Sequence, residues 1–385
     1  MPSLLDLPDE LLVQVIEDAV PTAMGSSKEY DERCRTLHAV ALTSKRLHAV
    51  ALPLLYRVLR VTEARFRPTL AACKGVDTPT YPLAKTLVCE GNAFGGLPAD
   101  QLSFAVAATP GISDLRICYC KEFALIELQA MSGLASLTLH DVLHGTALTA
   151  QHVRSLHLPH LADLSLEYTV ITQSGCKAFL SCTTFPSLRH LALGVVVLLD
   201  SHGPAEEVVP LTSLPLLAQL RTLRCWHASH PSSFSFPDTL RLLYNASVGV
   251  QEHGQPSYAT LSRVPHLALR LRGKLFPHPE ASRDRNRLAN AKGALEEMTA
   301  SLSRAAQGAG PSLRLVLLES DLLREDDALA DKEAFAELKP AVEAFLEACK
   351  AVGVEVIVQE TSQYGLESFV SERFIQWCEQ KYGTE

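Results

Sequence analysis

A recurring triplet of apolar residues constrains the fold of this 385-residue chain more than any other feature of its sequence. The triplet has the form L-x-x-L-x-L and occurs seven times, as Ala84/Leu87/Cys89, Ile112/Leu115/Ile117, Leu134/Leu137/Leu139, Leu161/Leu164/Leu166, Leu188/Leu191/Leu193, Leu220/Leu223/Cys225 and Val264/Leu267/Leu269. Measured between the middle residues, the steps are 28, 22, 27, 27, 32 and 44 residues. Self-similarity at this spacing predicts a stack of repeated units.

The last two positions of each triplet are alternate residues, which point to the same side of a strand. Such a unit buries its apolar side only against neighbouring units, so several copies are needed. Proline in "LPHL" at 158–161 and in "FPSL" at 185–188 ends the element before the strand. The pattern resembles degenerate leucine-rich repeats and predicts an α/β fold, with an irregular solenoid of parallel strands over residues 61–278. An ordinary α/β domain whose strands happen to begin with leucine stays open, because leucine is the commonest residue.

The first sixty residues have a different, helical pattern. Proline and carboxylates at positions 8–10 suit a helix start. Helical spacing then relates Leu11, Leu12, Val15, Ile16 and Ala19, which should form one broad stripe. We expect a polar link at 22–35, a second helical run at 37–51 and a third unit that starts at residue 53. Three short helices bury little by themselves, so a partner or the next domain should cover part of this surface.

Three segments at 7–16, 41–47 and 54–58 read LPDELLVQVI, ALTSKRL and LLYRV. Their order resembles the F-box pattern, in the version found in many fungal F-box proteins, over about residues 4–60. The resemblance implies a three-helix module that binds the Skp-type adaptor of an SCF ubiquitin ligase. It assigns the adaptor contacts to Leu7, Pro8, Leu11, Leu12, Val15, Ile16, Leu42 and Leu47. The polar link is some ten residues longer than in a compact F-box, and the alternative is a plain helical cap on the solenoid.

Residues 279–385 alternate between helix and strand patterns. After a polar run at 280–286 we expect a helix at 287–306, a strand at 313–318, a helix at 332–351 and a strand at 354–359. An amphipathic stretch from Leu366 to Trp377 should pack over the end of these units. Terminal repeats need an atypical outer face, so this third is predicted to cap the solenoid.

The sequence contains no G-x-S-x-G, G-x-x-x-x-G-K-[ST] or H-E-x-x-H motif. Two polar segments follow apolar strands and are candidates for catalysis: Asp200-Ser201-His202-Gly203, which a degenerate α/β hydrolase would use, and Cys225-Trp226-His227 with His230. Both are better explained as loops. A basic cluster is better explained as a solvated face than as a site for an acidic client or phosphate, and consists of Arg270, Arg272, Lys274, Arg283, Arg285 and Arg287. We therefore predict no catalysis, no cofactor and no metal.

Charge and composition limit the classes of partner and the location that we expect. The formal charge is −8, with 43 acidic and 35 basic residues, so a nucleic acid or an anionic membrane is not an expected partner. The first residues lack the basic and apolar pattern of a secretory signal, and no apolar run approaches the roughly 20 residues of a membrane span. Ten cysteines are scattered along the chain and suit reduced, buried thiols, including Cys118 and Cys120, which should share one side of a strand. The expected location is the cytoplasm, the nucleus or both.

The sequence thus predicts three domains: an F-box-like module at 1–60, a solenoid at 61–278 and a cap at 279–385. The predicted function is substrate recognition for an SCF-type ubiquitin ligase. In this function the module binds the adaptor and the solenoid holds a client protein of unknown identity. The alternative is a protein-binding solenoid with a helical cap and no ligase connection.

Overall fold

The computed structural model describes residues 7–21, 27–62, 83–92, 96–120, 123–142, 147–193, 196–200, 203–207, 215–225, 240, 242–248, 266–271, 281–306, 313–320 and 332–360. The chain divides into two units, each of which is described by itself. Unit 1 consists of residues 1–162 and 183–187, and unit 2 consists of residues 163–182 and 188–385. The predicted domain boundaries at 60 and 278 stay predictions.

Unit 1 begins with three helices, α1 (Asp9–Ala19), α2 (Ser27–Thr43) and α3 (Lys45–Arg57). Together they form what we call the helical module. Its buried core draws on all three helices and consists of Leu12, Ile16, Val20, Leu37, Ala41, Val50, Ala51 and Leu54. The module therefore has a small apolar centre of its own.

Three expectations for this region were wrong. The polar stretch 22–35 is not a link over its whole length, because α2 already begins at Ser27. The second helical run is broken at Ser44, which caps α3, so it belongs to two helices. Pro53 does not start a new unit and lies inside α3. Burial of Ala51 and Leu54 on either side of Pro53 outweighs the backbone hydrogen bond that proline loses there.

The rest of unit 1 is a parallel sheet with short helical connections. Its strands are β1 (Val58–Thr62), β2 (Thr86–Glu90), β3 (Asp114–Cys120) and β4 (Ser136–Val142). Helix α4 (Ala99–Ala108) connects β2 to β3, and a 3₁₀ helix (Leu125–Ala130) follows β3. Leu87, Leu115 and Leu137 are register partners on adjacent strands and are all buried.

Unit 2 has more strands, arranged in two sheets. In chain order they are β5 (Asp163–Glu167), β6 (Thr169–Thr172), β7 (His190–Leu193), β8 (Val196–Asp200), β9 (Gly203–Glu207), β10 (Thr222–Cys225), β11 (Leu242–Val248), β12 (His266–Leu271), β13 (Leu315–Ser320) and β14 (Glu355–Glu360). Seven of them form a parallel sheet in the order β5-β7-β10-β11-β12-β13-β14, while β6, β8 and β9 form a separate three-stranded sheet. The prediction of a mixed α/β fold with parallel strands is confirmed.

The helices of unit 2 are α5 (Gln173–Phe179), α6 (Ala281–Ala306) and α7 (Lys332–Ala351), with a 3₁₀ helix at Pro215–Gln219. Helix α7 has the predicted bounds. Helix α6 begins six residues before the expected start, so the polar run at 281–286 is helical and not a lead-in. The stretch from Leu366 to Trp377 lies outside the described residues.

The seven apolar triplets coincide with β2, β3, β4, β5, β7, β10 and β12. The 44-residue step between Leu223 and Leu267 contains a further strand, β11, in which Leu243 is the register partner of both. Its sequence Leu240-x-x-Leu243-x-Asn245 ends in a polar residue, so it does not match the apolar triplet. The long step therefore consists of two ordinary steps.

One backbone hydrogen-bond pattern recurs at the start of successive strands. The Lys85 carbonyl accepts from the amides of Ser113 and Asp114, and the Ser113 carbonyl accepts in the same way from those of Ala135 and Ser136, the residue before β4 and its first residue. In unit 2 the Arg189 carbonyl accepts from Arg221 and Thr222. The same backbone contact therefore forms at the starts of β3, β4 and β10.

The expectation that Cys118 and Cys120 share one side of β3 was wrong. Cys120 is fully buried and donates to the Leu97 carbonyl at 3.3 Å, whereas Cys118 is only half-buried. Tyr119 between them has a φ of 54°, which is left-handed backbone and breaks the strand alternation. Asp141, at the equivalent position of β4, has a φ of 48°.

Candidate functional site

Helix α1 carries two apolar rows that face different surroundings. Leu12 and Ile16, one turn apart, are 0% and 6% exposed and belong to the core of the helical module. Leu11 and Val15, also one turn apart, are 48% and 41% exposed. The sequence predicted a single stripe, and the structure divides it into an inner row and an outer row.

The other predicted adaptor contacts divide in the same way. Leu42, near the end of α2, is 73% exposed, and Pro8 is exposed as well. Leu7 and Leu47 are half-buried and pack against the module core. The outward-facing members are therefore Pro8, Leu11, Val15 and Leu42.

Polar contacts hold the start of α1 against the start of α3. Arg46 donates to the Asp9 carboxylate at 2.7 Å and to the Leu7 carbonyl at 2.6 Å. The Ser44 hydroxyl accepts from the Leu47 amide at 3.1 Å and so caps α3. The Ser-Lys-Arg segment that resembled the F-box pattern thus has an internal structural role.

These contacts also limit how far Leu42 lies from the outer row of α1. Leu42 precedes Arg46 by four residues, which corresponds to a span of at most about 14 Å. Arg46 itself contacts Asp9, two residues before Leu11. Leu42 and Leu11 are thus each within four residues, along the chain, of the contact between Arg46 and Asp9.

A second group of charges lies where α1 ends. Glu17 accepts from Arg57 of α3 at 3.2 Å, and Arg33 of α2 donates to the Pro21 carbonyl at 3.1 Å. Burial lowers the pKa of the Arg33 guanidinium, and the nearby Glu17 carboxylate opposes that shift. These contacts fix the three helices relative to one another.

Exposed large apolar side chains are concentrated in this module. Among the described residues there are seven, and the four in α1–α3 are Leu11, Val15, Leu42 and Tyr56. Scattered exposed apolar residues are normal on any protein. Their concentration in a module of fewer than sixty residues is the feature that marks it as a candidate interface.

The outward side of β2–β4 is a second candidate surface. Alternate residues point away from the buried leucines, and register places them in three rows. The members of these rows are half-buried, except for Val88 in the middle row, which is apolar and buried. The rows are Thr86–Asp114–Ser136, Val88–Arg116–Thr138 and Glu90–Cys118–His140. This surface offers hydroxyl, carboxylate, guanidinium and imidazole groups side by side.

The charges on that surface are mostly compensated. Arg60 of β1 donates to Glu90 at 2.5 Å, and Arg116 lies 3.8 Å from Asp114. Burial raises the pKa of the Asp114 carboxyl, and the Arg116 guanidinium and the hydroxyls of Ser136 and Thr86 oppose the shift. At the strand ends, the Tyr119 hydroxyl and the His140 Nε2 are 3.1 Å apart, with the rings edge to face.

The candidate catalytic segments have ordinary structural settings where they are described. Asp200 is the last residue of β8 and is the register partner of Gly203 of β9 in an antiparallel pair. Cys225 ends β10. Ser201, His202, Trp226, His227 and His230 lie outside the described residues, as do Arg272 and Lys274 of the basic cluster, whereas Arg270 is in β12 and Arg283, Arg285 and Arg287 are in α6.

Two features are absent from the part of the chain that the structure describes. There, no group of three or more histidine, cysteine or acidic side chains is arranged to hold a metal ion. None of the helices there has the length and apolar character needed to cross a bilayer.

Several thiols are buried. Burial raises the pKa of Cys89 well above its ordinary value, that of Cys176 to about 11 and that of Cys349 to about 12. These values keep the thiols protonated at neutral pH. Their setting is typical of structural cysteines and not of nucleophiles.

The chain was also compared with known proteins. No family model matches it, and no curated protein matches it.

Proposed function

We propose that this chain is the substrate-recognition subunit of an SCF-type ubiquitin ligase. In this proposal the helical module binds a Skp-type adaptor, and the repeated strands hold a client protein. Ubiquitin transfer itself belongs to other subunits. The receptor contributes the client's effective concentration and orientation.

The exposed outer row of α1 is the observation that carries the proposal. Leu11 and Val15 are large, apolar and nearly half exposed, although Leu12 and Ile16 beside them already supply the module's core. A helix that only capped a solenoid would need one apolar row. The second row, together with Leu42, provides exposed apolar surface that a partner can cover.

The energy available from this surface suits a specific interface. Fully burying one such side chain is worth roughly 1.5–3 kcal/mol. Leu11, Val15 and Leu42 already bury part of their surface, so each contributes less than the full amount. Interfaces commonly depend on a few central residues of this kind.

The client-binding part of the proposal is supported by the strand repeats. Register-matched strands with a recurring carbonyl contact form an extended surface, and stacked-repeat proteins use such surfaces for binding. Over β2–β4 that surface is polar and half-buried, with paired charges and the Tyr119–His140 contact at its edge. Such groups suit recognition by hydrogen bonds to a client's polar chain.

The test uses the full chain and a Skp-type adaptor in a pull-down followed by calorimetric titration. We expect binding by the unmodified chain and a loss of roughly 100-fold for Leu11→Asp combined with Val15→Asp, because about 3 kcal/mol of apolar contact is removed. Both residues are on the surface, so the melting temperature should stay close to that of the unmodified chain.

Gln14→Asp is the matched control, since it adds a charge to the same exposed side of α1 without removing an apolar group. It should bind the adaptor normally. Leu12 and Ile16 are poor targets for this test because a charge there would disrupt the core. A correctly folded chain that ignores the adaptor would remove the ligase role.

A second candidate function is a binding solenoid with a helical cap and no adaptor. The observation that favours it is that the module is built into unit 1: α3 ends at Arg57 and β1 begins at Val58, and the module has its own core. The two functions differ in one result. The cap function predicts that Leu11→Asp with Val15→Asp changes no binding partner.

A further inference from the structure

The first strand of the unit 1 sheet is an edge strand. Among the described residues β1 pairs only with β2, so one side of its backbone has no neighbouring strand. Leu59 and Val61 are register partners of Leu87 and Cys89 on β2. In a parallel ladder, alternate residues of a strand direct their amides and carbonyls to opposite sides. Leu59 and Val61 therefore face β2, whereas Val58 and Arg60 face the other side.

Tyr30 of α2 occupies that opposite side. Its hydroxyl donates to the Val58 carbonyl at 3.1 Å and accepts from the Arg60 amide at 3.2 Å. In a parallel sheet, these two groups are the acceptor and the donor that one residue of a neighbouring strand would use. The Tyr30 hydroxyl thus makes the two hydrogen bonds that one residue of a neighbouring strand would make. The Tyr30 side chain is buried in this position, at 7% exposure.

We infer that Tyr30 is the positioning residue that fixes the helical module to the sheet of unit 1. Two features of the neighbourhood support this role. There is no linker between α3 and β1, and the Arg60 side chain is itself held by Glu90 of β2. With Tyr30 bound to β1 and Arg60 bound to β2, side-chain contacts join α2 to the first two strands of the sheet.

The same contact protects the edge. An unpaired edge strand is a template for pairing with another chain, and proteins cover or interrupt such edges. Here a single hydroxyl satisfies the carbonyl of the first residue and the amide of the third residue of a five-residue strand. This inference does not depend on the ligase role, since it concerns only contacts within unit 1.

Amide hydrogen exchange resolved to single residues tests the inference on the full chain. Tyr30→Phe removes only the hydroxyl, and we expect the Arg60 amide to exchange at least tenfold faster in that variant. The Leu59 and Val61 amides, which face β2, should change little. Tyr56→Phe is the matched control, because it removes the same group from an exposed tyrosine of α3, and it should leave Arg60 unchanged.

The unmodified chain supplies a readout that does not depend on how the variant folds. Its Arg60 amide should exchange slowly although it faces the outer side of an edge strand. A rapidly exchanging Arg60 amide there would overturn the inference. So would a Tyr30→Phe variant in which Arg60 exchanges no faster than before, or accelerates no more than Leu59 and Val61.

Discussion

Neighbouring leucines of α1 have opposite surroundings, and at the residue scale this difference decides what each one does. Leu12 is fully enclosed by the module core, and Leu11 beside it is nearly half exposed. Helical spacing groups both into one stripe and does not say which part of the stripe faces inward. That depends on α2 and α3, whose positions are set by contacts such as Arg46 with Asp9.

Truncation should separate the two leucines. We expect Leu12→Ala to lower the free energy of unfolding by about 2–5 kcal/mol, because it leaves a cavity in the core. Leu11→Ala should cost well under about 1 kcal/mol, since solvent already covers much of that side chain. Denaturant unfolding of both variants measures the difference, and equal losses would contradict the inner and outer rows.

Gly91 is required by a close backbone approach. A Cβ there would overlap the Tyr119 carbonyl oxygen and the Leu97 amide nitrogen, which are hydrogen-bonded to each other at 2.6 Å. We expect Gly91→Ala to destabilise the chain by about 1–3 kcal/mol, because rigid backbone must move. Gly133→Ala is the control, since its nearest neighbour would be 3.8 Å away, and its melting temperature should not fall.

Asp114 should make stability depend on pH. Burial raises its folded pKa above the ordinary 3.8, so the folded chain holds this proton more tightly than the unfolded chain. Its contribution is therefore fully present below pH 3.8 and is lost as the pH rises through the folded pKa. Asp114→Asn should gain most in melting temperature at neutral pH and progressively less toward pH 4. A gain that stayed constant or grew in acid would contradict the buried carboxylate.

At the scale of elements, helix ends follow local chemistry that the sequence displays. Ser44 begins α3 because its hydroxyl caps the helix, and this residue is where one predicted run becomes two helices. Apolar spacing continues smoothly from Leu37 to Ala51 across that break, so periodicity alone misses it. Pro53 causes the opposite error: the proline predicts a helix boundary, but the packing of Ala51 and Leu54 keeps it inside α3.

Removing the cap should weaken α3 measurably. We expect Ser44→Ala to cost about 1 kcal/mol, because the Leu47 amide loses its acceptor. Thermal unfolding measures the loss. Ser44→Asp, which can also cap, should retain most of the stability, and if it fell as far as alanine the capping role would be wrong.

At the scale of the whole molecule, the sequence predicted the strands better than the surfaces. The apolar triplets located seven strands of the parallel sheets because the inward residues of a strand are fixed by burial alone. Strand β11 was not predicted, because the polar Asn245 occupies the third triplet position. The Tyr119–His140 contact and the Tyr30 bridge join residues 21 to 30 positions apart, so no local pattern indicates them.

The recurring carbonyl contact has a consequence for how such a chain can change in length. The starts of β3, β4 and β10 are each bound to the start of the neighbouring strand through two consecutive amides, as at Lys85 and Ser113. A contact of this kind depends on where the strand starts, so insertion or deletion of a residue at that point would break it. A change of length in the connection between two strands leaves it intact, and the steps from Leu87 to Leu115 and from Leu115 to Leu137 do differ, at 28 and 22 residues.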